Sequence, residues 1–144
     1  VDEILVLVKE YDMALCTGHI APEESLALLR RAHEKGLKKL VATHVDWPAT
    51  CATMEQQKEY VACGALLEHN VANIMSGDCP IEEFVDQIHE IGAENIILST
   101  DLGQAINPEP VKMFEEYVGK LMDAGITPDE IHAMIVTNPA KIIE

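Results

Sequence analysis

Short apolar runs alternate with longer amphipathic segments along the whole chain, and this alternation limits the fold more than any other feature. The runs fall at residues 13–17, 39–43, 65–67 with its continuation, and 95–100. A strand pattern followed each time by a helical one is the mark of βα units and a parallel sheet. The helices between the strands have readable ends. The first opens on Pro22 with Glu23 and Glu24 in its first turn and stops at Gly36. The second opens on Thr53-Met54-Glu55-Gln56, a capping box, and stops at Gly64. A third begins at Pro80, repeats Ile81, Phe84, Val85, Ile88 and Ile91 at helical spacing, and stops at Gly92. The fourth follows Pro108 and Pro110, presents Val111, Phe114, Val118 and Leu121, and ends at Gly125. Thr127-Pro128-Asp129-Glu130 and Asn138-Pro139 then start two short helices, while residues 1–10 form a helix feeding the first strand. The organisation is one helix, four βα units and a helical cap, expected as a single domain over residues 1–144.

Charge narrows the partners. With 10 Lys and Arg against 25 Asp and Glu, the formal net charge is −15. Affinity for a phosphate backbone needs clustered cations, so nucleic acid is excluded as the main partner, and an anionic membrane surface is disfavoured. No apolar stretch approaches the roughly 20 residues of a spanning helix. The first residues are acidic rather than basic, unlike a signal peptide. The partner is expected to be a small molecule, a cation or another protein. Cys16, Cys51, Cys63 and Cys79 form no CxxC pair, so neither a zinc ribbon nor a disulfide framework is suggested. Four buried or half-buried thiols and a reducing, cytoplasmic setting are expected.

The polar residues at the strand ends carry the functional signal. His19, His44 and His69 each end one of the first three strands and lie 25 residues apart, one βα unit each. The fourth strand ends in Ser99-Thr100-Asp101. The C-terminal strand ends of a parallel α/β fold form its active face. Imidazoles and a carboxylate gathered on one rim suit a divalent metal, zinc foremost. Strand alternation groups His44 with Ala42 and Leu40, His69 with Leu67 and Ala65, and Asp101 with Ser99 and Ile97. Glu68 then points away from His69, which makes it a weaker site residue than its charge suggests.

His19 and His44 are accordingly expected as metal ligands, and Asp101 as ligand and proton acceptor. His69 either binds substrate or simply packs. Trp47 either walls a pocket or belongs to the core. Asn70 and Asn73 either orient a substrate or form turns, and Gln104 lies in the long loop that Asp101 opens. His33, His89 and His132 sit on helices as ordinary surface residues, and Arg30 and Arg31 look like solvated helix charges.

On these residues the chain resembles the second half of an amidohydrolase-superfamily metal-dependent hydrolase. Members of that superfamily have a distorted (β/α)8 barrel with His ligands ending the fifth and sixth strands and an Asp ending the eighth. His19, His44 and Asp101 match those positions, with His69 ending the seventh. The segment Thr137-Asn138-Pro139-Ala140-Lys141 is similar to the helix start that follows such barrels, and Leu98-Ser99-Thr100-Asp101-Leu102-Gly103-Gln104 looks like one uncharacterised branch.

The resemblance implies a parallel-stranded half (β/α)8 TIM-barrel-like unit with four βα repeats and a C-terminal helical cap. It also implies hydrolysis of an amide, ester or lactone-type bond in a small-molecule substrate through a metal-activated water. The superfamily's His-x-His pair does not occur in this sequence. The chain is therefore expected to be a fragment or truncated domain, completed by self-association or by a missing N-terminal barrel half. The alternatives are a non-catalytic half-barrel serving in assembly and a metal-dependent decarboxylase-type lyase.

Overall fold

The computed structural model describes residues 1–143. Helix α1 (Asp2–Glu10) precedes β1 (Leu15–Cys16), α2 (Pro22–Glu34), β2 (Leu40–Ala42), α3 (Met54–Ala62) and β3 (Ala65–Asn70). Then come α4 (Val71–Ser76), α5 (Ile81–Ile91), β4 (Ile96–Ser99) and α6 (Pro110–Asp123). Helix α7 (Pro128–His132), a π-helical turn (Ala133–Thr137) and α8 (Asn138–Ile143) follow. The four strands pair in parallel in the order β1-β2-β3-β4. This is an α/β fold of alternating strands and helices with helices at its C-terminus, as the apolar periodicity implied. Among the described residues the outer edges of β1 and β4 pair with no further strand.

Local sequence explains most helix ends. The Thr53 side chain accepts from the Gln56 N–H while Gln56 reaches back to the Thr53 N–H, and Thr127 and Glu130 repeat the device on α7. Glu109 caps α6 by accepting from the Val111 and Lys112 N–H groups. At Asn138 the side chain does more than start a helix. It is fully buried, and its amide donates to the carbonyls of Ala93 and Ile96, fastening the C-terminal helices to the foot of β4. Strands β1, β2 and β4 are shorter than their apolar runs suggested, while β3 continues to Asn70. Helix α4 occupies a stretch expected as loop, because the Asn70 side chain accepts from the Asn73 N–H and nucleates it.

The register separates two sheet faces. Leu40 pairs with Ala65 and Leu67 with Ile96, so Leu40, Ala42, Ala65, Leu67, Ile96 and Leu98 share the face covered by helices. Phe84 and Ile88 of α5 and Leu29 of α2 pack into the same core. Burying a side chain such as Leu67, which has no exposed surface, contributes about 1.5–3 kcal/mol. The other face presents Cys16, Val41, Leu66, Glu68, Asn70, Ile97 and Ser99.

All four cysteines are free, but only Cys63 and Cys79 are buried, so the expectation of four sheltered thiols fails for Cys16 and Cys51. Cys16 falls on the edge strand β1, and Cys51 on the β2–α3 loop. Arg30 and Arg31 are exposed on α2, as expected of solvated helix charges, and both form surface ion pairs. Arg30 pairs with Glu59, and Arg31 holds Asp2 of α1 at 2.7 Å, which keeps that carboxyl down at about 2.

Candidate functional site

The C-terminal strand ends carry a cavity lined by His19, His44, Trp47, Asp101, Gln104 and Asn73. Two interlocked threonines set the loops that deliver its histidines. The Thr43 N–H donates to Thr17 Oγ1, and the Gly18 N–H donates to Thr43 Oγ1, so the ends of β1 and β2 brace each other. Gly18 takes a φ of +66° and sends the chain outward to His19, whose side chain is exposed. The His19 ring lies 5.1 Å from the His44 ring and 5.0 Å from the Trp47 ring, centroid to centroid.

His44 departs most from strand geometry. It follows β2 with a φ of +49°, a left-handed conformation that non-glycine residues seldom adopt, and Asp101 after β4 has +50°. Such conformations cost about 1–2 kcal/mol per residue and persist only where the surroundings enforce them. Here the enforcing contacts are visible. The His44 carbonyl accepts from Thr50 Oγ1, its N–H donates to Glu68 Oε2, and its ring is held from the sheet. The left-handed turn carries His44 off the face of Leu40 and Ala42 and onto the opposite side, beside Glu68.

His44 Nδ1 sits 3.0 Å from Glu68 Oε2 and 3.0 Å from Asn70 Nδ2. These neighbours ask for opposite tautomers, since the carboxylate accepts a proton that the amide would also present. Asn70 cannot turn its amide over, because its Oδ1 already accepts from the Asn73 N–H. Both contacts hold the His44 ring from the sheet side. His44 Nε2 lies on the other side of the ring, 3.8 Å from Asp101 Oδ2. Glu68 is itself fixed by Ser99, whose hydroxyl donates to Oε1 at 2.7 Å.

Glu68, which sequence reasoning rated a weaker site residue, thus stands beside His44, and His69, left open between a substrate contact and packing, packs. The alternation was correct, but the face assigned to the rim was not. His69 shares the helix-covered face with Leu67, has no exposed surface, and packs its ring 4.6 Å from that of Phe84. It cannot touch a substrate in the rim cavity. Its Nδ1 donates to Asp46 Oδ2 at 3.0 Å, while Nε2 has no hydrogen-bond partner. His69 is thus a core residue tied to Asp46.

Asp46 gathers this buried layer. It also accepts from Asn73 Nδ2 at 2.6 Å. Burial alone would raise its carboxyl, but the hydrogen bonds from His69 and Asn73 and the attraction of His69 outweigh it and hold Asp46 below the usual carboxylate range. Asn73 therefore lines the cavity as a residue anchored from beneath. Asn70 is buried and supports His44 rather than meeting a ligand. Trp47, Gln104 and Asp101 do border the cavity, and Asp101 is 59% exposed at its side chain.

The donors His19, His44 and Asp101 fit a divalent metal in kind, and the Glu68–His44 bond supplies the orienting partner that metal-bound histidines use. Among the described residues, however, no three His, Cys, Asp or Glu side chains converge closely enough to hold an ion by themselves. No helix is long and apolar enough to cross a membrane.

Residues 1–68 match a protein family of unknown function, DUF6282. The matched part runs from α1 into β3 and contains His19, His44 and Glu68 but not Asp101. Because that family has no assigned activity, the match brings no chemistry to these residues. No curated protein matches the chain.

Proposed function

We propose that this chain is part of a metal-dependent hydrolase of amidohydrolase type, acting on an amide, ester or lactone-type bond of a small molecule. The observation that carries this reading is the Glu68–His44 pair, which holds His44 beside a cavity that His19 and Asp101 also line. His44 Nε2, His19 and Asp101 would hold the ion, zinc foremost, with further ligands from another barrel half or a second copy of the chain. A bound divalent ion supplies Lewis acidity, which polarises a carbonyl and lowers the pKa of water. Asp101 Oδ2 is exposed enough to take a proton in the cavity, and Glu68 keeps His44 from turning. Trp47 and Gln104 border the space a substrate would fill.

A second reading has its own support. Unpaired edges on β1 and β4, with no convergent trio of donors among the described residues, favour a non-catalytic half-barrel serving in assembly. Metal analysis of the purified chain after incubation with zinc separates the two. The hydrolase reading expects bound zinc that drops sharply in His44→Ala and Asp101→Ala. Zinc no higher in the parent than in both variants overturns it. Solution mass then distinguishes a monomer from paired half-barrels.

A further inference from the structure

One wall of the rim cavity, whose volume is about 390 Å³, is made by α4 and the turn after it, through Ala72, Asn73, Ser76 and Asp78. Asn73 is the buried member of that wall, only 4% exposed. Its N–H donates to Asn70 Oδ1, and its carbonyl accepts from the Cys79 N–H. Its Nδ2 donates to Asp46 Oδ1 at 2.6 Å. Asp46 is held below the usual carboxylate range and is therefore ionised at neutral pH. An ionised carboxylate only accepts, so turning the Asn73 amide over would set oxygen against oxygen. The orientation of the amide is fixed.

Asn73 Oδ1 is the polar atom left over. Among the described residues no donor reaches it, and it is not closed off either. The side-chain atoms sealed in the interior without a partner are Gln57 Oε1 and His69 Nε2. Asn73 Oδ1 thus keeps accessible surface, and the space its residue borders is the rim cavity. Its neighbours on the wall add acceptors rather than donors. The Ser76 hydroxyl gives its proton to Asp78 Oδ2 at 2.6 Å, which leaves only lone pairs for a ligand. An oriented acceptor on a buried residue, open to a cavity and unpaired, calls for a donor from whatever fills that cavity.

We propose that Asn73 Oδ1 reads an N–H of the substrate, which makes the substrate an N–H-bearing amide rather than an ester or a lactone. The inference rests on the hydrolase reading for the reaction, and on Asn73 for the choice of bond. An amide N–H donates to Oδ1, whereas the bridging oxygen of an ester meets it lone pair to lone pair. A site built to hydrogen-bond a substrate N–H rejects the analogue lacking it, because its own polar group is then left unpaired. In the hydrolysis the water oxygen bonds to the carbonyl carbon, the C–N bond breaks, and the nitrogen leaves as an amine with a proton from the water. Asp46 sets which end of the Asn73 amide faces the cavity.

Side-chain amide NMR of the isotope-labelled intact chain, prepared without zinc, tests the assignment. The probes are δ-valerolactam, N-methyl-δ-valerolactam and δ-valerolactone, rings of like shape of which only the first carries an N–H. The lactam is expected to shift the Asn73 side-chain signals saturably and to bind about tenfold more tightly than either analogue. Asn73→Ala is expected to bind all the probes alike. Equal affinity of the parent chain for the lactam and its N-methyl form overturns the proposal, as does the absence of a saturable shift at Asn73. A preference for the lactam that survives in Asn73→Ala overturns it too. Should that variant not fold, the titrations of the parent chain decide alone. Zinc takes no part in them, so their failure is distinct from the failure of zinc binding that would overturn the hydrolase reading.

Discussion

Glu68 Oε2 lies 3.0 Å from His44 Nδ1, and the same carboxylate accepts from the His44 backbone N–H and, through Oε1, from Ser99. One side chain from the middle of the sheet thus fixes the conformation and direction of a residue two loops away. Glu68→Ala removes that support without touching the cavity wall. Zinc affinity is expected to fall by roughly 10–100-fold, the usual loss when an orienting partner is removed. Competition against a zinc-binding dye reads it, and circular dichroism should show an unchanged fold. Undiminished affinity would mean that the pair does not orient a metal ligand.

The left-handed backbone at His44 makes a second prediction, in which two truncations differ. His44→Ala keeps a Cβ at a φ of +49°, whereas His44→Gly removes it. The glycine variant is expected to be more stable than the alanine variant by about 1 kcal/mol, with both losing zinc affinity alike. Urea unfolding of the pair decides this, and a less stable glycine variant would show that the local strain is absent.

Acid should unfold the protein partly through Asp46. Its carboxyl is held below the ordinary value, so its stabilising contribution is fully present above the unfolded-state pKa near ~3.9 and is lost as pH falls through the lower folded value. Asp46→Asn is expected to destabilise at pH 7 by about 1–3 kcal/mol, since His69 and Asn73 lose a charged acceptor. The difference from the parent should shrink steadily below pH 4. A difference that does not vary with pH would remove Asp46 from the account of acid stability.

Thiol chemistry separates the cysteines by burial. Cys16 and Cys51 are exposed and should react with a disulfide reagent in the folded protein, while Cys63 and Cys79 should react only on unfolding. Both exposed thiols are raised, Cys16 by partial burial and Glu68, Cys51 by partial burial and Glu83, so their reaction should be slow at pH 7 and quicken above pH 9. Cys79 is pushed far higher by burial and by Asp46 beneath it. Four fast thiols in the native protein would contradict the burial of Cys63 and Cys79.

Much of this architecture is legible in the chain because the signals are local. Thr53 and Gln56 satisfy each other within one turn, Phe84, Ile88 and Ile91 recur at the helical period, and each strand's end is marked by the polar residue after an apolar run. Such features depend on neighbours a few residues away. The site was legible only in part. Its histidines at 19 and 44 and its aspartate at 101 do border one cavity, as their strand-end positions suggested. His69 obeys the same spacing and yet lies in the core.

The sequence by itself determined the order of strands and helices, the helix caps and the positions at which polar residues leave the sheet, since backbone hydrogen bonding and side-chain periodicity are short-range. Tertiary structure alone decided which face of β3 meets the rim. Alternation states that Glu68 and His69 point apart, but only the seating of Phe84 from α5 against His69 assigns that face to the core and gives Glu68 to His44. Period-two alternation also ends where the strand ends. At His44 a left-handed turn, held by contacts from Glu68 and Thr50, redirects the side chain, and no pattern of neighbouring residues records those contacts.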